Sequence, residues 1–223
     1  ATMMTNLSSH DFLRQTLCTP SFKEQENIGN FLERLDSLIA ATQGKLDNLE
    51  KIKRALLKHL FDQSMRFRGY SDPWEKRKFG ELYKPNKERN ESAEFSSENT
   101  LSIATMTVNR KGNGAAKTSL LKYKVIRIGD IAFEGHTSKK FAFGRFVLND
   151  VADGIMSPRF TCLRPIHRQI IQFWKQYIHY EPILRPILIR STKLGTMMNE
   201  LVVPDLLKQN IRVPSINEQD RKS

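Results

Sequence analysis

The chain is short of the residue patterns that most catalytic and metal chemistry needs. Its two cysteines, Cys18 and Cys162, lie 144 positions apart, which gives neither a disulfide framework nor a ligand pair and fits a reducing, cytoplasmic setting. Five histidines, His10, His59, His136, His167 and His179, form no HExxH and no Cys/His cluster, so no metal site is expected. No glycine-rich loop ends in Gly-Lys-Ser/Thr, so no nucleotide phosphate cradle is visible. Gly112-Asn113-Gly114 is a lone GxG in a basic loop without βαβ context and reads as a turn. Pro204-Asp205 has no acidic-x-Lys partner downstream, and no carboxylate pair is placed to hold magnesium. No run of 18 apolar residues could span a bilayer, and residues from Ala1 onward lack a signal-like apolar core. The expectation is a non-enzymatic protein with no cofactor.

What is present is charge of one sign in one place. Residues 1–63 carry 8 Lys+Arg and 8 Asp+Glu, whereas residues 64–223 carry 28 and 16, so the whole net charge of +12 sits in the second part. A one-sided excess of that size points to a polyanion, most often nucleic acid.

Between Pro20 and Phe61 the apolar residues Ile28, Leu32, Leu35, Ile39, Leu46, Leu49, Leu56 and Leu60, with Thr42 and Lys53 filling two gaps, recur in alternating steps of four and three. That is a heptad seam. Ser21 and Glu24 form a capping box that fixes the start of a helix over 21–62. A rod of about 40 residues is roughly 60 Å long and needs a partner helix for its stripe. Phe31, Leu38, Ile52, Leu57 and Phe61 widen that stripe, and Gly44 weakens it by about 1 kcal/mol.

Residues 2–29 and 196–223 align without a gap and share eleven of 28 residues, including Asp11/Asp205, Gln15/Gln209, Pro20/Pro214, Ser21/Ser215, Glu24/Glu218 and Gln25/Gln219. The spacing is that of a duplicated domain-plus-helix unit, not of a solenoid. The expected plan is a domain tail at 1–20, the spacer helix at 21–62, a recognition domain at 64–213 and the start of a second helix at 214–223. Within the domain, strand-like runs occupy Leu101 to Val108, Tyr123 to Ile128, Ile131 to Phe133 and Phe160 to Leu163, with a polar loop or short helix at 84–99. Helical spacing from Gln169 to Leu188 is interrupted by Pro182 and Pro186. The fold class is α+β, a mixed domain on a bent, irregular sheet attached to one long coiled-coil-forming helix.

Three basic loops are the candidate DNA-contacting elements: Arg110, Lys111 and Lys117; Lys139, Lys140 and Arg145; and Arg190, Ser191, Thr192 and Lys193. Arginine and lysine on loops can reach guanine edges in a groove, while lysine, serine and threonine hold phosphates. Taken singly each is as well explained as a solvated surface residue; the clustering favours binding. Phe141, Phe143 and Phe146 alternate with the basic residues, and alternation assigns at least two of them to the core.

The string PSFKEQENIGNFLERLDSLIAATQGKLDNLEKIKRALLKHLF, followed by MRFRGYSDPWEKRKFGEL, resembles the central conserved region and second-domain opening of the specificity subunit of type I restriction-modification enzymes. LKYKVIRIGDIAF at 121–133, GIMSPRF at 154–160 and VPSINEQ at 213–219 resemble the framework of that family's target recognition domain. The resemblance implies a non-catalytic reader of one half of a split double-stranded DNA target. It also implies that modification subunits, and through them the restriction subunit, dock beside the helices. Only one complete domain is present here, so an antiparallel homodimer through the long helix is expected to supply the second. The alternative is a coiled-coil assembly scaffold with non-specific DNA binding.

Overall fold

The computed structural model describes residues 8–112, 114–136, 141–195 and 198–220. Lys139 and Lys140, and the repeat residues Thr2, Met3, Met4, Leu7, Thr196 and Met197, lie outside them. The chain divides into two units, Ala1–His59 and Leu60–Ser223.

The first unit holds α1 (Ser9–Leu13) and nearly all of α2 (Phe22–Phe61). The Ser21 hydroxyl accepts from the Glu24 amide at 3.4 Å, as the capping-box spacing predicts. Forty unbroken helical residues follow, and the seam residues from Ile28 to Leu56 are exposed. Gly44 lies within the helix with nothing near the place a Cβ would take.

The second unit runs β1 (Glu75–Lys78), α3 (Phe79–Leu82), β2 (Tyr83–Pro85), β3 (Leu101–Ser102), β4 (Thr107–Val108), α4 (Lys117–Leu120), β5 (Lys124–Ile126), β6 (Ile131–Glu134), β7 (Arg145–Leu148), β8 (Gly154–Met156), β9 (Thr161–Pro165), α5 (Ile171–Tyr177), α6 (Glu181–Ser191), β10 (Thr192–Lys193), β11 (Glu200–Leu201), α7 (Val203–Lys208), β12 (Asn210–Val213) and α8 (Ile216–Asp220). Its largest sheet is antiparallel in the order β2-β9-β6-β7, and four two-stranded pieces, β1-β12, β3-β4, β5-β8 and β10-β11, surround it among the described residues. None of these sheets closes. The fold is mixed helix and sheet with a long preceding helix, as the pattern predicts.

Strand alternation divides the core. Ala132, Val147 and Cys162 face a cluster of Leu101, Ile103, Met106, Ile126 and Met156, while Phe133 and Phe146 stand on the neighbouring positions. Phe146 stacks with Phe79, whose ring stacks in turn with Tyr83, and Tyr83 meets Trp174 edge-on at 5.4 Å. Covered on both faces, β6 and β7 carry continuous apolar runs instead of alternating ones.

Four expectations need correcting. Leu101 to Val108 is not one strand but a hairpin, because Ile103 and Met106 turn into the core and Met106 takes φ 47°. Residues 84–99 are not simply an exposed loop: Asn86 and Asn90 are buried, and Asn86 donates to the Val125 carbonyl at 2.8 Å. Pro186 does not break a helix but lies inside α6, which Pro182 helps to start. Its missing amide forgoes one bond, to the Pro182 carbonyl, and the burial of Leu184, Ile187 and Leu188 holds the helix. The apolar run at 145–148 is an edge strand of the largest sheet, where a basic loop was expected to end at Arg145.

A charged network ties β2 to β5, β6 and β9. Arg164 donates to Asp130 at 3.0 and 2.9 Å and to Glu88 at 2.5 Å, and Arg127 donates to Glu88 at 2.6 Å and Glu94 at 3.1 Å. Burial pushes the Glu88 carboxyl up, but hydrogen bonds from Arg127 and Arg164 outweigh it and hold the group below its ordinary value of 4.5. A depressed carboxyl contributes stability that is complete above the unfolded value and is lost as pH falls through the folded one. Arg164→Leu, which leaves the buried Asp130 without its counter-ion, is therefore expected to cost about 3–5 kcal/mol at pH 7. The deficit should shrink below pH 4.5 in urea unfolding curves followed by circular dichroism.

Candidate nucleic-acid interface

The first basic loop is built by Asn109. Its amide donates to the Thr100 carbonyl at 2.8 Å, closing the β3-β4 hairpin, and its side chain donates to the Gly112 carbonyl at 2.7 Å. Gly112 sits at φ 69°, a left-handed conformation, 3.1 Å from the Ser97 side chain at the place a Cβ would occupy. Only glycine fits there without strain. The turn leaves Arg110 and Lys111 exposed, and Lys117 is exposed as the first residue of α4. These three have no ion pair among the described residues.

In the second loop the described residues begin at Phe141. Gly144 takes φ 76°, and a Cβ there would lie 2.7 Å from the Glu134 carbonyl. The backbone is thus pressed against β6, and Arg145 is drawn inward. Its Nε donates to Glu134 at 2.6 Å, its Nη2 donates to the Ala104 carbonyl at 2.6 Å, and its guanidinium lies 4.9 Å from the Phe141 ring centroid. Arg145 is therefore a brace between β7 and the β3-β4 hairpin, not a free contact residue. Of the three phenylalanines only Phe146 is buried. Phe141 and Phe143 are half-buried, which corrects the expectation of two in the core. They line a cavity of about 370 Å³ whose far wall is Ile178, His179, Leu184 and Leu188, with Arg145 and Arg185 as its cations.

The third cluster divides. Arg190 is exposed and donates to the Pro186 carbonyl at 3.0 Å; Lys193 is exposed. Ser191 is fully buried and donates to the Ile187 carbonyl at 2.6 Å. The half-buried Thr192 has its hydroxyl enclosed among protein atoms. Ser191 is thus a structural residue of α6 and not available to a phosphate.

A further basic group escaped the sequence reading. Arg89 bridges to Lys124 across a short antiparallel contact and donates to the Lys122 carbonyl at 2.6 Å. Lys124 donates to the Phe160 carbonyl at 2.6 Å, and the Arg159 guanidinium lies 4.8 Å from the Phe160 ring centroid. Burial pushes the Lys124 ammonium down, and the neighbouring Arg89 adds to this. Arg89, Lys122 and Arg159 are exposed. Their positions come from three separate stretches, so no run of basic residues marks them; only the β5-β8 pairing, Lys124 opposite Met156, joins them.

The exposed cations of this arrangement can hold anions. Among the described residues no three His, Cys, Asp or Glu side chains could hold a metal ion, and burial raises the Cys162 thiol to about 12, far from a reactive thiolate. Among them, too, no helix is long and apolar enough to cross a membrane. Arg145→Met strips Glu134 of its cation and frees the Ala104 carbonyl. It should lower stability by about 1–3 kcal/mol in thermal melts, whereas Lys111→Met should leave the melt unchanged.

No protein-family model matches the chain, and no curated protein matches it. Among solved structures it is similar to an HsdS subunit from Thermoanaerobacter tengcongensis, with 18% identity and a TM-score of 0.45 over 91% of this chain and 49% of that one. It is likewise similar to a chain from work on the complex assembly and conformational transition of the type I R-M system, with 18% identity and a TM-score of 0.46 over 91% of this chain and 50% of that one. The chain spans about half the length of the solved chains it matches.

Proposed function

We propose that residues 64–213 are a target recognition domain that reads one half of a bipartite double-stranded DNA site, as the non-catalytic specificity component of a type I restriction-modification enzyme. The observation that carries this reading is the partition of charge: the entire +12 belongs to residues 64–223, while many of the arginines there, Arg127, Arg145 and Arg164 among them, are consumed by internal ion pairs. Among the cations left over, Arg110, Lys111, Lys117, Arg190 and Lys193 together with Arg89, Lys122 and Arg159 are exposed, on loops, at strand ends and on the helices α4 and α6. Loops on a rigid sheet can enter a groove, where phosphate contacts position and base contacts specify. Methylation and cleavage then belong to partner subunits.

Binding through phosphates releases counterions, so affinity for duplex DNA should fall linearly on a log–log plot against salt. Each of Arg110→Ala and Lys111→Ala should reduce that slope by about one if it contacts a phosphate and leave the thermal melt unaltered. Titration of a labelled duplex at several salt concentrations checks this. Equal binding of specific and scrambled duplexes at physiological salt favours the scaffold reading instead, and a salt-independent affinity counts against binding through phosphates in either reading.

The long helix in this reading is both spacer and docking surface for modification subunits, and residues 1–20 are the tail of a preceding domain. The exposed seam from Ile28 to Leu56 supports pairing of two copies antiparallel, which supplies two reading domains. Leu35→Lys with Leu49→Lys should give monomers by light scattering at concentrations where the unaltered chain is dimeric; dimers in the double variant remove the seam as the interface.

A further inference from the structure

The two copies of the repeat share conformation as well as residues. At the same offset of 194 positions, Gln15 donates to the Asp11 carbonyl at 3.4 Å and Gln209 to the Asp205 carbonyl at 3.1 Å. Gln25 donates to the Pro20 carbonyl at 2.8 Å and Gln219 to the Pro214 carbonyl at 3.0 Å. The amides of Glu24 and Glu218 both donate to the serine three residues earlier at 3.4 Å. Helix α1 answers to α7, residues 16–19 answer to β12, and the first turn of α2 answers to α8.

Their surroundings are opposite. In the second unit Leu206 and Ile211 are 0% and 2% exposed, α7 packs on α3 and α6, and β12 pairs with β1. Their counterparts Phe12 and Leu17 are 58% and 79% exposed. Glu218 is clamped by Arg66 at 2.8 and 2.9 Å and by the Trp74 indole at 3.3 Å, whereas Glu24 is exposed. The first unit thus presents a preformed duplicate of the segment that closes the second.

The heptad seam gives an independent register. Its alternating steps are mirror-symmetric about Gly44, so antiparallel pairing of two copies sets Ile28 against Leu60, Leu32 against Leu56 and Ile39 against Leu49 of the second copy. The same register sets Phe61, the last residue of α2, opposite Asn27 of the second copy, so that Glu24 of that copy, three residues before Asn27, lies beside the turn that leads to Arg66. Arg66 is the clamp that Glu218 already occupies. The first turn of α2 and the first turn of α8 therefore compete for one place.

From the repeat and the register together we infer that two copies exchange segments: residues 8–25 of each chain replace residues 202–219 on the second unit of the other, with Glu24 taking the Arg66–Trp74 clamp. This rests on the antiparallel pairing proposed above and goes beyond it, since pairing alone leaves 202–219 in place. Where the copies differ, the resident segment fits its own groove better: Val213 faces Thr19 in the comparison, and Leu206 faces Phe12. The exchange consequently follows helix pairing, which carries residues 8–25 of one copy to the groove of the other, and it is absent from the dilute monomer. Reciprocal exchange closes a two-fold dimer with no free copy left to propagate a fibre.

Cys18 tests the exchange directly. It is exposed and answers to Arg212, which pairs with Lys76 across β12 and β1. In the full-length chain, Lys76→Cys should therefore allow an intermolecular disulfide on mild oxidation, from Cys18 of one copy to the new thiol at position 76 of the other, since antiparallel strand partners lie within disulfide reach. The expected result is a covalent dimer carrying that peptide link by mass spectrometry, lost with Leu17→Lys, a change at an exposed position that leaves the monomer's melt unaltered. A dimer by light scattering without the link, or a link that survives Leu17→Lys, overturns the exchange and leaves the paired-helix reading standing. A monomer by light scattering overturns both, and a link from Cys18 to position 76 within one chain overturns exchange with a second copy.

Discussion

The junction at Phe61 is the constraint on which the second unit depends. This last residue of α2 is buried edge-on against Trp74, Phe173, Tyr177 and Tyr180, with ring centroids 5.0 to 6.4 Å apart. Edge-to-face aromatic contacts add specific geometry to simple area burial, so they fix where the helix ends as well as that it ends. The same Trp74 donates from its indole to Glu218, and Arg66 grips both carboxylate oxygens. The end of one helix and the start of the next are therefore held by one cluster. The bidentate guanidinium and the indole together satisfy both oxygens of that enclosed carboxylate.

Charge in the second unit does two jobs. Arg164 and Arg127 knit Asp130, Glu88, Glu94 and Asp153 into a network that holds β5, β6 and β9 in register with the loop after β2. Arg145 does the same for the hairpin at Leu101–Val108. These arginines carry positive charge but present little of it outward. Arg110 and Lys111, which remain exposed, lie on a turn built by Asn109 and by Gly112, whose backbone favours glycine. Internal arginines shape the loops, and the exposed lysines and arginines on those loops are the ones proposed to meet a polyanion.

The repeat connects these two themes. A short helix and a serine-capped helix start occur twice in similar local form, once buried and once exposed, and the residues between them form a strand, β12, only in the second copy. Local hydrogen bonds, from Gln15 and Gln209 onto the preceding turn, recur in both copies although their surroundings differ. What differs between the copies is the groove beside them, which only the second unit provides.

The sequence by itself determined the long helix, its capping box, its seam and the partition of charge, because each rests on local spacing or on a count. It also determined the repeat, through residues that make the same short-range bonds twice. Tertiary structure decided which basic residues are free. Arg145 and Ser191 sit in basic stretches no different in composition from Lys111, yet Glu134 and the Ile187 carbonyl turn them inward. It likewise gathered Arg89, Lys122 and Arg159 from separate stretches by pairing β5 with β8. Strands of two to four residues such as β8 and β7 carry too little period to be read along the chain. Their partners lie far away in sequence, and the pairing energy that makes them strands exists only once those partners have met.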